Sequence, residues 1–421
     1  MGADAATPAD SALVRRSNLS LVLRRFRDEG PRTRARVADE TGLNKATVSS
    51  LVAELVDRGL LREGQIERLG AVGRPGQVIE LDGRRVCGIG IEVNVDYVTA
   101  LIVDLGGRVV ADERLPLDVP ALRPDAVLDA TADLVARAVS AAHRAGSTPA
   151  GVTVAVPALV DVGTGTLRFA PNFGWRDMPV ARALAERLGE PPYPIRVDND
   201  ANLSALAEHV AGAGAGVRNL VYLTGEVGVG AGVISEGRLL RGSAGLSGEV
   251  GHMPLGAGTE LCGCGRRGCW ETTVGLGALL RMAADPKDPV RDPARDVEDR
   301  LTELRRRAEE GHERTLTALR QIGTDLGTGA SVLVNLFDPE LIMLGGYFAM
   351  LGDFFLADMT ESLRTRIVDP NATRCEVVLS TLGFSAAARG GAHVALEGVL
   401  ADPTTVPPAV PEGSERSSSL V

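Results

Sequence analysis

Residues 252–271 read HMPLGAGTELCGCGRRGCWE. Three of the five cysteines in a 421-residue chain, Cys262, Cys264 and Cys269, fall in this stretch, and nine residues separate His252 from the first of them. One imidazole and three thiolates complete a tetrahedral zinc set and leave no position for water or substrate, which argues for a structural metal. Gly263, Gly265 and Gly268 let the chain turn tightly between the ligands. Cysteines clustered this way are a metal pattern and not a disulfide framework. The expected task of the loop is to hold the segment between Glu249 and Glu271 in shape.

Outside the loop, length alone suggests two or three domains. Hydrophobic residues are 44% and charged residues 24%, as in a soluble globular protein. No stretch resembles a transmembrane helix, and MGADAATPADSALVRR lacks the basic-then-apolar order of a secretory signal. The expectation is a cytoplasmic chain with no membrane partner. The net charge of −10 is unevenly spread: residues 1–85 carry 15 Lys+Arg against 12 Asp+Glu, and the remainder 30 against 43. A basic end on an acidic body suggests a nucleic-acid module joined to something else.

The first eighty residues support that division. In SNLSLVLRRFRDEG, Leu19, Val22, Leu23 and Phe26 share one helical face, and Gly30 ends it. TRARVADETG gives a short second helix closed by Gly42. LNKATVSSLVAELVDRGLL gives a third, with Asn44 as N-cap and Val48, Leu51, Val52 and Leu55 facing inward. Three short helices with a glycine turn before the last read as a helix-turn-helix. LLREGQIERLGAVGRPGQVIEL then reads as two strands of a wing with Arg74 at its tip, where it could enter a minor groove. The candidate DNA contacts are Arg34, Asn44, Lys45, Ala46, Thr47, Ser49, Ser50 and Arg74. The expected boundaries are a flexible 1–14 and a winged helix-turn-helix over 15–83.

From Cys87 the texture becomes α/β. CGIGIEVNVDYVTALIVDLGGRVVADERLPL reads as strand, turn, strand, turn, strand, and an Ala-rich helix follows at about 124–145. LVYLTGEVGVGAGVISEGRLLRG repeats the strand–turn–strand pattern, so two similar lobes with a cleft are expected: about 86–205 with a C-terminal helix at 385–400, and about 206–384. Residues 285–299 read as an exposed loop, and 401–421, ADPTTVPPAVPEGSERSSSLV, as a disordered tail.

GEVGH at 248–252, followed by CGCGRRGCWE at 262–271, resembles the ROK family of repressors and sugar kinases, as do DNDANLSALAE at 198–208 and PNFGW at 171–175. The helix-turn-helix with its GRP wing resembles the xylose-repressor-like branch of that family. The resemblance spans residues 15 to about 400. It implies an actin-like, hexokinase-type ROK domain over 86–400 with sugar in the cleft, bound at positions matching Asn199, Asp200, Glu249, His252 and Glu271. Asn172 of PNFGW is a further candidate. His252 can serve both sites, with one ring nitrogen on zinc and the other toward a hydroxyl. Asp200 stands where the family's kinases place a general base, at the start of a helix whose free N–H groups favour its ionised form.

Phosphoryl transfer also needs glycine turns that cradle phosphates. Where the family's kinases carry Asp-x-Gly-Gly-Thr, this chain has EVNVDY, Glu92–Tyr97. Where they carry Gly-Thr-Gly-x-Gly, it has GEVGVG, with Glu226 and Val227 in the first two positions. A carboxylate there repels a nucleotide, and a β-branched residue disfavours the turn. Gly345 and Gly346 still resemble the adenosine-side turn. The expectation is a sugar-responsive repressor with no catalytic residue, Asp200 being vestigial. The alternative is an ATP-dependent sugar kinase with an appended DNA-binding domain. Expected partners are a structural Zn2+, an inverted-repeat operator, a monosaccharide or sugar phosphate, and a second copy of the chain, as a homodimer or dimer of dimers.

Overall fold

The computed structural model describes residues 11–67, 76–243, 245, 247–256, 258, 260–293, 295–370 and 374–409. The head comprises α1 (Ser11–Glu29), β1 (Arg32–Thr33), α2 (Arg34–Thr41), α3 (Lys45–Asp57), β2 (Leu61–Glu67) and β3 (Gly76–Leu81). Local chemistry sets these ends. The Asn44 side chain accepts the Thr47 N–H at 2.8 Å and caps α3, while Gly42 in the left-handed region (φ 71°) closes α2. The eight apolar positions expected to face inward on α1 and α3 are buried. β1, β3 and β2 form one three-stranded sheet, the wing. Arg74 and the turn around it lie outside the described residues.

The body opens with β4 (Val86–Val93), β5 (Tyr97–Asp104), β6 (Val109–Pro116), α4 (Pro124–Arg144), β7 (Thr148–Val156), β8 (Leu159–Asp161), β9 (Thr166–Ala170), β10 (Trp175–Met178), α5 (Val180–Arg187) and β11 (Ile195–Asn199). It continues with α6 (Asp200–Ala211), β12 (Leu220–Gly225), β13 (Val229–Ser235), β14 (Arg238–Leu239), α7 (Glu271–Val274), α8 (Leu276–Ala283), α9 (Val297–Glu309) and α10 (Glu313–Phe337). The last elements are β15 (Leu341–Gly346), α11 (Tyr347–Leu351), α12 (Leu356–Arg364), β16 (Glu376–Leu379) and α13 (Ala386–Ala401). Among the described residues no helix is long and apolar enough to cross a membrane.

The internal repeat is visible in the connectivity. One sheet has the order β6-β5-β4-β7-β11, the other β14-β13-β12-β15-β16. In each, an antiparallel three-strand meander is extended by two parallel strands. Beside them, α13 lies on β4, β7 and α6. The approach is close: a Cβ at Gly90 would sit 1.7 Å from the Ala388 carbonyl oxygen, so only glycine fits under the helix.

Three expectations need correction. The segment 11–14, assigned to a flexible N-terminus, is the first turn of α1. The segment 401–409, assigned to a disordered tail, packs against the head. Pro403–Thr405 forms a 3-10 turn capped by Asp402, and Pro403 and Val406 are buried. Arg58 donates to the Thr404 and Val406 carbonyls, and the Ala409 N–H bonds Asp57 O. The composition is polar and proline-rich, but the head offers it an apolar seat and carbonyl partners. Residues 410–421 lie outside the described residues. Nor is 285–299 simply exposed: Val290 is buried, and its carbonyl accepts from the buried Arg300.

The head is not loosely tethered. Leu19, Val22, Leu23 and Phe26 belong to one apolar cluster with Leu396, Val399 and Leu400 of α13 and with Val406. Each large side chain so buried contributes roughly 1.5–3 kcal/mol. Arg24 and Arg27 of α1 pair with Glu397, Arg16 with Asp402, and Ser20 Oγ donates to Leu400 O at 2.7 Å.

Candidate functional site

The His/Cys loop is folded back on itself by backbone bonds. Gly256 N–H reaches Gly268 O, Cys262 N–H reaches Arg266 O, and Trp270 N–H reaches Met253 O, at 2.8–2.9 Å. Gly265 and Gly268 sit at φ 86° and 78°, as tight turns between the thiols require. Trp270 is buried, and its Nε1 donates to Asp325 O of α10 at 3.0 Å, which anchors the loop to the second lobe. The donor atoms of His252, Cys262, Cys264 and Cys269 lie within 4.8 Å of one another. Cys264 Sγ and Cys269 Sγ are 3.6 Å apart, and His252 Nδ1 is 3.6 Å from Cys262 Sγ. A tetrahedral Zn–S bond of about 2.3 Å implies donor separations of about 3.8 Å, so the set fits zinc.

One face of this cluster is a wall of the cleft. Cys262 Sγ lies 2.6 Å from Glu271 Oε1. The His252 ring turns Nδ1 toward Cys262 and Nε2 toward Glu249, 3.8 Å from its Oε2. Beyond the ring opens a cavity of about 550 Å3, lined by Asn172, Asn199, Asp200, Glu249, His252 and Glu271 together with Glu226, Val227 and Arg266. All six residues assigned to sugar from the sequence therefore line one space. They come from the turn after β9, the β11–α6 junction, the 3-10 turn Val250–His252 and the start of α7.

The junction differs in detail from the sequence reading. Asn199, not Asp200, caps α6: its Oδ1 accepts the Asn202 N–H at 3.0 Å and its Nδ2 donates to Ala158 O at 3.3 Å. Much of its amide is thus spent inside the protein. Asp200 follows as the first helical residue, with Oδ1 accepting the Ala201 N–H at 2.8 Å. Burial pushes the Asp200 carboxyl up to about 6, against the neighbouring N–H groups that oppose it, and Asp198 adds to the rise. The helix terminus therefore does not win over burial. Glu249 is pushed up to about 7, again by burial first and then by repulsion from Asp200 and Glu271.

At the far end of the cleft, where the sequence departs from the phosphate turns, the side chains engage one another. Asn94 Nδ2 donates to Glu92 Oε1 at 2.9 Å and to Glu226 across the cleft, and Tyr97 Oη donates to Glu92 Oε1 at 2.9 Å. The Arg114 guanidinium stacks 3.8 Å over the Tyr97 ring and pairs with Glu298 of the second lobe. Burial pushes Glu92 up to about 7, with Asp200 adding to the rise, and drives Glu226 well above the carboxylate range, with Glu92 and Asp200 adding to it. Asp96 is raised by burial and senses Arg114, Asp296 and Arg300. The sequence points to Glu92 and Glu226, but Asn94 as the bridge between them and Arg114 as the tie from Tyr97 to Glu298 emerge only in the structure. Those bonds join residues 132 and 184 positions apart, and no local pattern marks them.

On the head, Lys45, Ala46 and Ser49 are exposed and Thr47 partly so at the start of α3. Ser50 is also exposed, but Arg15 of α1 reaches its Oγ at 3.4 Å. Arg34 pairs with Glu63 of the wing at 3.4 Å.

A model of the ROK family matches residues 88–397, and one of the IclR helix-turn-helix domain matches residues 18–64. The xylose repressor of Bacillus subtilis strain 168 is 30% identical over 390 residues, covering 92% of this chain and 97% of the relative. A glucokinase of Streptomyces coelicolor is 30% identical over 321 residues, 73% of this chain and 97% of the relative. The crystal structure of a ROK family transcriptional regulator, a homologue of the E. coli MLC protein, superposes with a TM-score of 0.75 at 22% identity, covering 92% of this chain and 97% of that one.

Proposed function

The chain belongs to the ROK family, and from that premise we propose that it is a sugar-responsive DNA-binding repressor. A monosaccharide in the cleft is held by Asp200, Glu249, Glu271 and the Nε2 side of His252, with Asn172 and Asn199 at the edges. Zinc on His252, Cys262, Cys264 and Cys269 would supply a structural cross-link with no open coordination position. With Nδ1 turned to the metal, the His252 tautomer is set and Nε2–H is left as a donor toward the sugar.

The observation that carries this reading is the serial packing of pocket, helices and head. Asp200 begins α6, α6 packs on α13, and α13 shares a core with α1. A ligand that shifts α6 therefore bears on the element that orients α3. The coupling is reciprocal, so sugar alters DNA affinity by the factor by which DNA alters sugar affinity. Two heads of a dimer on an inverted repeat would supply the base pairs that one recognition helix cannot.

Gel-shift titrations of operator DNA with and without d-xylose or d-glucose, chosen after a thermal-shift screen, test the proposal. Operator affinity is expected to change at saturating sugar, and Thr47→Ala is expected to weaken specific binding more than non-specific binding. DNA affinity indifferent to a sugar that binds would sink the sensor reading.

A second reading, sugar phosphorylation, is favoured by the glucokinase relative and by a buried carboxyl at Asp200 with a raised pKa. Against it stands Glu226, a carboxylate where a phosphate would lie. ADP release dependent on both sugar and Asp200 would restore this reading.

A further inference from the structure

We propose that Arg241 and Asp198 form a positioning pair that sets the two opposed carboxylates of the cleft, an inference that rests on reading the cleft as a sugar site. Asp198 lies in β11, an edge strand of the first sheet, and Arg241 lies two residues beyond β14, an edge strand of the second. The guanidinium grips the carboxylate with both prongs: Nη1 donates to Oδ1 at 2.9 Å and Nη2 to Oδ2 at 2.6 Å. Oδ1 also accepts the backbone N–H of Asn199 at 2.8 Å. The Asp198 side chain is 3% exposed, and that of Arg241 36%. A bidentate, charge-assisted pair with one partner fully buried fixes geometry far better than an exposed ion pair does.

What it fixes follows from the chain on either side. Asn199 and Asp200 come directly after Asp198. From Arg241 the chain leads to Ser247, whose N–H returns to Arg241 O at 3.3 Å, and then to Gly248 and Glu249. Gly248 has φ 101°, its carbonyl accepts the Ala231 N–H at 3.2 Å, and a Cβ there would lie 2.3 Å from Ala231 O. Arg241 and Asp198 thus fasten together the two segments that carry Asp200 and Glu249. Those carboxylates repel each other, and both must face one ligand. The pair behind them supplies the opposing tie across the lobes. Neither residue is among those the cleft assigns to the sugar itself.

The test titrates d-xylose and d-glucose into the full chain, Arg241→Lys, Arg241→Gln and the double variant Asp198→Asn/Arg241→Gln. The double variant retains hydrogen-bonding groups and leaves no buried charge unpaired. Sugar affinity is expected to fall about ten-fold or more in Arg241→Gln and in the double variant, with Arg241→Lys intermediate because an ammonium cannot make both bonds. Zinc content and melting temperature of the double variant are expected to match the parent, which a merely structural role would not allow. A double variant with parental melting temperature and sugar affinity within about two-fold overturns the proposal. If the parent chain binds neither sugar, the sugar reading fails, and hydrogen exchange judges the pair separately. Faster exchange at the amides of Asn199–Asn202 and Gly248–Val250, with α10 unchanged, supports it; unchanged exchange there overturns it.

Discussion

At the His/Cys end of the cleft, Asp200, Glu249, Glu271 and His252 face a cavity of about 550 Å3. At the other end, Glu92 and Glu226 face Asn94 and Tyr97. Both ends are rich in carboxyls, with Glu92 buried and the Glu249 side chain 39% exposed, and desolvation within the cleft raises the carboxyls of Asp200, Glu249, Glu92 and Glu226. They differ in what the oxygens do. At the first end, Asp200 spends one oxygen on a backbone N–H and Glu249 approaches the edge of the His252 ring, and both residues line the cavity. At the second, one asparagine amide and one phenol join the two acids to each other and the two lobes together. At the second end Glu92 Oε1 and Glu226 are engaged within the chain, and Glu92 Oε2 is the buried oxygen there left without a hydrogen-bond partner among the described residues.

The largest effect that would sharpen this contrast comes from the metal. Cys264→Ser, or exhaustive chelation, is expected to reduce sugar affinity on the order of 100-fold, because His252 and Glu271 lose the loop that sets them. Atomic absorption should find about one zinc per native chain. A metal-free preparation that binds sugar normally would break the link between loop and cleft.

Asp200→Asn comes next. It removes a charged acceptor at the open end, and calorimetry should show a loss of about 2 kcal/mol, roughly 30-fold, in sugar binding. The same protein should show an unchanged response to ATP and Mg2+, namely none. Stabilisation of the native chain by ATP would mean that the second end still admits phosphates.

The smallest effect concerns that second end and depends on pH. The Glu92 carboxyl titrates near 7 in the folded chain against an ordinary 4.5, and Glu226 is raised as well. The folded state then holds more protons than the unfolded one between about 4.5 and 7, so stability falls as pH rises through that window. Glu226→Gln keeps an acceptor for Asn94 and removes one charge. It is expected to stabilise the protein by about 1–2 kcal/mol at pH 8, with the gain fading toward pH 5. Scanning calorimetry at four pH values measures it; no gain at pH 8 would mean that the two acids do not share a dry site.

What the sequence determined by itself was whatever is written locally. Ligand spacing in the 252–271 loop announced a His/Cys cluster able to hold a metal, and apolar periodicity announced α1 and α3. The repeated strand–turn–strand pattern announced two sheets of one connectivity. Each of these signals lies within a few tens of residues and reflects backbone periodicity or donor chemistry. Only the tertiary structure decided which polar groups are spent and which are left over. Asn199 proved to be a cap, Asn94 a bridge to Glu226, Arg241 a partner of Asp198, and 401–409 a strap against the head. These pairings join positions from 3 to 348 apart. Nothing in residue type distinguishes a glutamate facing a cavity from one facing an asparagine. The distinction arises only when folding removes water and a buried oxygen can take a partner only from what the fold has brought near.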